Sequence, residues 1–168
     1  MKQFNRLLLI IGVLLWAVGL RSGDVAAHDE SAANTGSRTA APYNAVSRGT
    51  RNLVLGTVTI KMLLDESNLG RSDIEVGELN LPAEYVESVA HVHSSLEIFY
   101  VVEGILGHEV NGKMYSLQPG EVGFLKPGDQ IRHSVLSDRP VKAVVIWLPG
   151  GEADALINHA GFKSEPVE

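Results

Sequence analysis

The chain has 168 residues, a formal net charge of −6 and no cysteine. This length is enough for one domain with a packed core and is short for two. The negative charge argues against nucleic acid or an anionic membrane surface as a partner. The absence of cysteine excludes disulfides, thiolate metal sites and cysteine nucleophiles, and it is compatible with an oxidising compartment.

Residues 1–27 have the pattern of a secretory signal peptide. Lys2 and Arg6 precede an apolar run at 7–20, and small residues at 25–27 offer a cleavage site. The apolar run is shorter than the roughly 20 residues that a membrane span requires. Signal cleavage is therefore our expectation, and an uncleaved membrane anchor is the alternative.

Export by the general secretory route is expected, because no twin arginine precedes the apolar run and no cysteine follows it. The mature protein is then periplasmic or secreted and makes no contact with the membrane after cleavage. Removing residues 1–27 takes away three basic residues and one acidic residue, so the net charge falls from −6 to −8.

Residues 28–50 are rich in Ala, Ser, Thr, Asn and Gly and show no apolar periodicity. This composition predicts a flexible linker or arm. An edge strand at 43–46 is the alternative for the second half of the segment.

From residue 51 to 150 the chain alternates short apolar runs with turn signals, which is typical of an all-β sandwich or barrel. The predicted strands are 53–65, 73–80, 88–93, 96–103, 105–110, 113–117, 121–126, 131–137 and 141–148. Asn111-Gly112 is the strongest turn signal, because both central positions of a two-residue hairpin turn need positive φ. Gly56 interrupts the first run and predicts a bulge or a bend.

Residues 151–168 are predicted to be a C-terminal tail. Helical periodicity occurs here only at 152–158, which predicts one or two helical turns. The last six residues are expected to be frayed.

The main candidate site is the run His91-Val-His93-Ser-Ser-Leu-Glu97. Residues two apart on a strand point to the same side, with roughly 7 Å between their Cα atoms. The two imidazoles therefore project together, and Glu97 keeps the same parity. Imidazoles with a carboxylate suit a first-row divalent metal.

His133 is the fourth candidate, because it shares one strand face with the apolar residues Ile131 and Val135. A histidine on such a face needs a partner for its ring nitrogens, and a shared metal would supply one. From the residues alone, a metal site and a set of ordinary strand histidines both stay open.

These residues resemble the first motif of the cupins, G-x5-H-x-H-x3,4-E-x6-G. His91, His93, Glu97 and Gly104 match it in type and spacing. Tyr85 stands where the motif opens with glycine.

The second cupin motif, G-x5-P-x-G-x2-H-x3-N, is similar to the residues Gly120, Pro127, Gly128 and His133 with a shifted spacing. Ser137 stands where the motif has asparagine. The resemblance covers about residues 53–148, so the chain is similar to a small single-domain cupin preceded by a signal peptide.

The resemblance implies a jelly-roll β-barrel, the double-stranded β-helix of the cupins. It also implies one divalent transition metal held by His91, His93, Glu97 and His133. Iron, manganese, nickel, copper and zinc are not distinguished. His108 is the competing ligand, and its simpler interpretation is a surface or supporting residue. Glu103 is interpreted as a solvated carboxylate.

A pocket beside the metal is one interpretation of the residues Phe99, Val101, Phe124, Val145 and Trp147. Plain core packing is the other. The run 141–148 is apolar on both faces, which predicts a second sheet or a partner chain against it. Since cupins commonly pair through such strands, the resemblance implies a homodimer.

A metal with open positions can bind dioxygen or an oxygen ligand, or polarise a carbonyl. The first functional hypothesis is therefore a periplasmic metal-dependent enzyme of dioxygenase, lyase or isomerase type acting on a small oxygen-rich organic molecule. A non-catalytic module that binds or senses a metal or small molecule is the alternative. A barrel whose metal only supports folding is a third hypothesis.

Overall fold

The computed structural model describes residues 46–87 and 89–168, which form eleven strands and two short helices. The strands are β1 (Arg51–Leu55), β2 (Val58–Leu64), β3 (Glu75–Leu81), β4 (His91–Val92), β5 (Leu96–Glu103), β6 (Leu106–Val110), β7 (Lys113–Leu117), β8 (Val122–Leu125), β9 (Gln130–Val135), β10 (Val141–Leu148) and β11 (Lys163–Glu165). The helices are α1 (Glu66–Leu69) and α2 (Glu152–His159). The predicted signal peptide, residues 28–45 of the predicted linker and most of the alternative strand at 43–46 lie outside the described residues.

The strands form two antiparallel sheets. One has seven strands in the order β11-β1-β2-β3-β10-β5-β8, and the other has four in the order β4-β9-β6-β7. In the larger sheet β10 lies between β3 and β5, far from its neighbours in the chain. The predicted all-β jelly-roll architecture with a short C-terminal helix is confirmed, although the two sheets are not joined into one continuous barrel.

The core lies between the sheets and follows from the period-two alternation of the strands. Burial alternates residue by residue along β3 and β10. Phe99 and Trp147 of the larger sheet are 1% exposed, and Ile131 of the smaller sheet is fully buried. Burying a side chain of this size contributes roughly 1.5–3 kcal/mol.

Several strand boundaries agree with the sequence prediction, because apolar alternation marks them clearly. The predicted runs 96–103, 113–117 and 141–148 are β5, β7 and β10. The run 53–65 is instead two paired strands, because Gly56 adopts φ +59° in the turn between them. The last residues are not simply frayed, since β11 pairs with β1.

The turn at Asn111-Gly112 has the predicted conformation, with φ of +51° and +79°. Gly104, at the end of β5, also has positive φ (+74°), and a Cβ there would lie 2.5 Å from the carbonyl oxygen of Pro140. Only glycine fits this close approach of two backbones.

Neither helix in the described part of the chain combines the length and the apolar character needed to cross a membrane.

Candidate metal centre

The four predicted ligands come from both sheets. His91 lies in β4 and His133 in the neighbouring strand β9, whereas Glu97 lies in β5 of the larger sheet. His93 follows β4, in the bend that leads to β5, and its carbonyl accepts a hydrogen bond from Gly128 N. The fold therefore directs these side chains into the space between the sheets.

The structure brings His91 and His93 together. Their Nε2 atoms are 3.0 Å apart, and the rings meet edge to face with centroids 4.7 Å apart. His93 is buried and His91 is partly buried. This separation suits an N–H···N hydrogen bond between the two rings, and it also suits two nitrogen ligands of one ion.

Glu97 extends this pair. Its Oε2 lies 3.3 Å from His93 Nε2 and is buried without a hydrogen bond. Its Oε1 accepts a hydrogen bond of 2.7 Å from Trp147 Nε1. Burial raises the pKa of Glu97 to about 7, although His93 and Trp147 oppose this effect. A cation beside Oε2 would favour the ionised carboxylate.

His133 is 8% exposed and its ring centroid lies 6.1 Å from that of His91. The ring also packs against Phe99, with centroids 4.8 Å apart. Its Nε2 is buried without a hydrogen-bond partner. Burial lowers the pKa of His133 well below its usual value, and the neighbouring histidines add to this effect. The ring is therefore neutral at pH 7, which is the form that binds metals.

Carboxylates lie on the Nδ1 side of all three imidazoles. Glu152 Oε2 is 3.1 Å from His93 Nδ1. Glu87 Oε1 is 2.9 Å from His91 Nδ1, close but not aligned as a hydrogen bond, and its Oε2 is 3.7 Å from His133 Nδ1. Metal-binding histidines usually offer one nitrogen to the metal and the other to such an oxygen.

Glu152, the first residue of α2, fastens this helix to the site. It accepts hydrogen bonds from the backbone N–H groups of Ser94 (3.1 Å) and Ser95 (3.2 Å). The pKa of Glu152 is lowered to about 2, and the hydrogen bond with His93 is the largest cause of this shift. Burial acts in the opposite direction and raises the pKa. In turn, burial lowers the pKa of His93, but the carboxylates of Glu152 and Glu97 outweigh it and the net shift is upward.

A second ligand set overlaps with the predicted one. Ligand atoms of Glu87, His91 and His133 all lie within 4.8 Å of one another, which suits one metal ion. This trio shares two histidines with the predicted set and replaces His93 and Glu97 by Glu87. The predicted four-residue set therefore stays a prediction, with Glu87 as a competing oxygen ligand.

Sequence reasoning did not assign Glu87 or Glu152 to the site, and it considered Trp147 only as a pocket or core residue. Glu87 had one signal, because it shares the odd-number parity of His91, His93 and Glu97. Glu152 had none, since it lies 59 residues from His93 in the chain.

His108 is not a surface residue, because it is 2% exposed. It lies opposite His133 in the register of β6 and β9, and the two ring centroids are 5.6 Å apart. Burial lowers the pKa of His108, against a smaller effect of the Phe124 backbone. The ring does not line the cavity described next.

A cavity of about 650 Å³ adjoins the predicted ligands. Phe99, Val145 and Trp147 line it, as one interpretation of the sequence expected. Val101 is buried elsewhere in the core, and Phe124 is 59% exposed on the outside. Cavities of this size hold small organic molecules.

The comparisons with known proteins agree with this architecture. The family model of the cupin domain matches residues 77–147. This segment contains β4, β5 and β9, and therefore all four predicted ligands. No curated protein matches the chain significantly.

Several solved structures are similar in fold. A predicted oxalate decarboxylase from Thermotoga maritima is 17% identical with a TM-score of 0.53, over 61% of this chain and 94% of that chain. An RmlC-like cupin from Shewanella frigidimarina is also 17% identical with a TM-score of 0.53, over 65% and 94%. KdgF from a Halomonas species is 18% identical with a TM-score of 0.51, over 59% and 86%.

Identities this low show the fold alone. Residues 77–147 match the cupin domain, and the jelly-roll architecture of the described residues is compatible with that match.

Proposed function

We propose that this protein is a metal-dependent enzyme that acts on a small organic molecule. One divalent transition metal would be held by His91, His93, Glu97 and His133. The supporting observation is that two potential ligand atoms are buried without hydrogen-bond partners. They are Oε2 of Glu97, 3.3 Å from His93 Nε2, and Nε2 of His133, whose ring centroid lies 6.1 Å from that of His91. Buried polar atoms without partners are rare, and a metal satisfies them.

The bound metal would supply Lewis acidity and open positions for a substrate oxygen or dioxygen. The protein supplies orientation. Glu152 holds the ring of His93 and Trp147 holds the carboxylate of Glu97, so the ligand atoms are fixed before any ion arrives. The surrounding apolar residues lower the local dielectric constant and so strengthen electrostatic interactions within the site.

A dioxygenase, lyase or isomerase type of reaction fits this ligand chemistry, because each uses a metal with free positions. The Thermotoga maritima protein of similar fold is named a predicted oxalate decarboxylase. The residues do not select among iron, manganese, nickel, copper and zinc.

Paired glutamine substitutions test which carboxylate is the ligand. Glu97→Gln should lower metal affinity by more than about 100-fold, whereas Glu87→Gln, which acts through the imidazoles, should lower it about 10–100-fold. Glu103→Gln is the matched control, since Glu103 is exposed at the end of β5. Metal titration against a competing chelator measures all three variants.

A larger loss for Glu87→Gln than for Glu97→Gln would favour the trio of Glu87, His91 and His133 over the proposed ligands. Equal, unchanged affinity in all three variants would reject the metal site. Elemental analysis of the protein from its native source identifies the ion, and turnover that survives in a double His91→Ala, His93→Ala variant would contradict metal-dependent catalysis.

A non-catalytic binding or sensing module is the second candidate. It is favoured by one observation, that each carboxylate lining the cavity contacts a neighbouring protein group through at least one of its oxygens. Glu87 faces His91, Glu97 accepts from Trp147, and Glu152 accepts from Ser94 and Ser95. Such a module should saturate with its ligand and leave it unchanged after prolonged incubation with metal and air.

The proposed setting is the periplasm or the exterior of the cell, in keeping with the signal-peptide pattern at 1–27. We also propose a homodimer formed through the outer face of the larger sheet. Its support is the exposed apolar side chains on this face, among them Tyr100, Val122 and Phe124.

A further inference from the structure

The cavity beside the predicted ligands has two chemically different ends. The carboxylates of Glu87, Glu97 and Glu152 lie beside His91, His93 and His133 at one end, whereas His159 is exposed at the solvent side. The opposite wall is hydrocarbon, and its members come from four strands. They include Leu55 of β1, Ile60 of β2, Leu79 and Leu81 of β3, and Val145 of β10.

No lysine or arginine lines this cavity within residues 46–87 and 89–168. The charged side chains that do so are the glutamates 87, 97 and 152, and the histidines. A second anionic group on a bound molecule would therefore lie against hydrocarbon without a cation. Burying an unpaired charge is very unfavourable, and burying unpartnered hydroxyls is also costly.

The C-terminal segment closes the apolar side. Ala155 and Leu156 of α2 line the cavity, and Phe162 follows them just before β11. Leu156 and Phe162 are partly buried against the core. Lining residues at the solvent side, such as His159 and Val92, are exposed, so the cavity opens between α2 and β4.

We propose that the cavity selects a molecule with one polar head and an uncharged apolar body. The head would face His91, His93 and His133, and the body would lie against Ile60, Leu79 and Val145. Only the placement of the polar head rests on the proposed function. The sequence predicted an oxygen-rich molecule, and this inference restricts that prediction to a molecule with a single oxygen-bearing end.

A series of straight-chain alkyl hydroxamates, from acetohydroxamate to octanohydroxamate, tests the proposal on the metal-loaded full chain. The hydroxamate head chelates divalent metals, and the tail probes the apolar wall. Each added methylene should tighten binding about two- to fourfold. Suberate, a dicarboxylate of the same chain length as octanoate, should bind at least about tenfold more weakly than octanoate, because its second charge is unpaired. Calorimetry measures the dissociation constants.

Two variants of α2 give the matched comparison. Leu156→Lys places a cation in the apolar lining and should abolish the increase in affinity with each added methylene. Asn158→Lys lies at an exposed position outside the lining and should preserve this increase. Ala155→Leu fills part of the cavity, so the affinity for hydroxamates should stop increasing at a shorter alkyl tail than in the parent protein. This third variant also keeps the test decisive if Leu156→Lys does not fold.

Straight-chain alcohols on chelator-treated protein separate this inference from the proposed function. Alcohol affinity that rises with chain length supports the apolar body even if no metal binds. Hydroxamates that bind with the same affinity at every length would overturn the inference and leave the metal site standing. Suberate binding as tightly as octanoate would also overturn it.

Discussion

At the scale of single residues, the site depends on groups that hold the predicted ligands in place. Trp147 donates its Nε1 hydrogen to Glu97 Oε1 at 2.7 Å, and the two residues face each other across β10 and β5. Both side chains are buried. This contact leaves the second oxygen of Glu97 oriented toward His93.

Trp147→Phe tests this contact, because it removes the N–H donor and keeps an aromatic ring in the core. Metal affinity should fall about 10–100-fold, as is typical when a residue supporting a ligand is lost. Chelator competition measures the affinity. Tyr100→Phe is the control, since Tyr100 is 46% exposed on the outer face of β5 and should bind metal as the parent does.

Circular dichroism would verify that Trp147→Phe keeps the parent fold. Unchanged metal affinity in this folded variant would show that the hydrogen bond does not orient Glu97.

At the scale of elements, the short helix α1 is held by a buried carboxylate. Asp65 precedes the helix, and its side chain accepts hydrogen bonds from Ser67 N and from Thr50 Oγ1 (2.7 Å). Burial raises the pKa of Asp65, but hydrogen bonds from Ser67 and Thr50 and the charge of Arg51 outweigh it. The net shift is downward from 3.8.

The downward shift means that ionised Asp65 stabilises the folded state. This contribution is complete above the unfolded-state pKa of about 3.8 and is lost as the pH falls through the lower folded-state pKa. Asp65→Ala should therefore lower the free energy of unfolding by about 1–2 kcal/mol at pH 7. The difference from the parent should shrink as the pH falls below 3.8.

Urea unfolding at several pH values measures this difference. Asp138→Ala is the control at pH 7, because the Asp138 side chain is 93% exposed, and it should change the stability by less than about 0.5 kcal/mol. A constant difference between Asp65→Ala and the parent down to low pH would show that the carboxylate charge is not what stabilises the fold.

At the scale of the whole molecule, the outer face of the larger sheet carries an exposed apolar patch along β5 and β8. Tyr100 is paired with Val122, and Ile98 with Phe124, across β5 and β8. Val122 and Phe124 are 56% and 59% exposed. The sequence predicted that both faces of β10 would be buried. Within the described residues its inward side chains are buried, whereas its outward side chains stay partly exposed. Large exposed apolar patches usually mark an interface.

Phe124→Lys tests the proposed homodimer. The parent protein should sediment as a dimer, and the charged side chain should shift it toward monomer by at least about tenfold in dissociation constant, since a buried unpaired charge is costly. Tyr115→Lys is the control, because Tyr115 is exposed on β7 of the other sheet. A parent that sediments as a monomer, or a dimer equally weakened by both substitutions, would contradict this interface.

The amino-acid sequence by itself determined what is local. Alternation of apolar residues delimited β5, β7 and β10, and the Asn111-Gly112 pair identified a hairpin turn. The spacing of His91, His93 and Glu97 indicated a shared site, because residues two apart on a strand face the same way. These signals act within a few residues, so a single sequence displays them.

Only the tertiary structure decided which distant groups complete the site. Glu152 reaches His93 across 59 residues, Trp147 reaches Glu97 across 50, and Glu87 reaches the backbone of His133 across 46. The separation of the cavity into a polar and an apolar end likewise depends on which strands become neighbours. Contacts over such distances arise from the packing of two sheets, and no local periodicity in the chain records them.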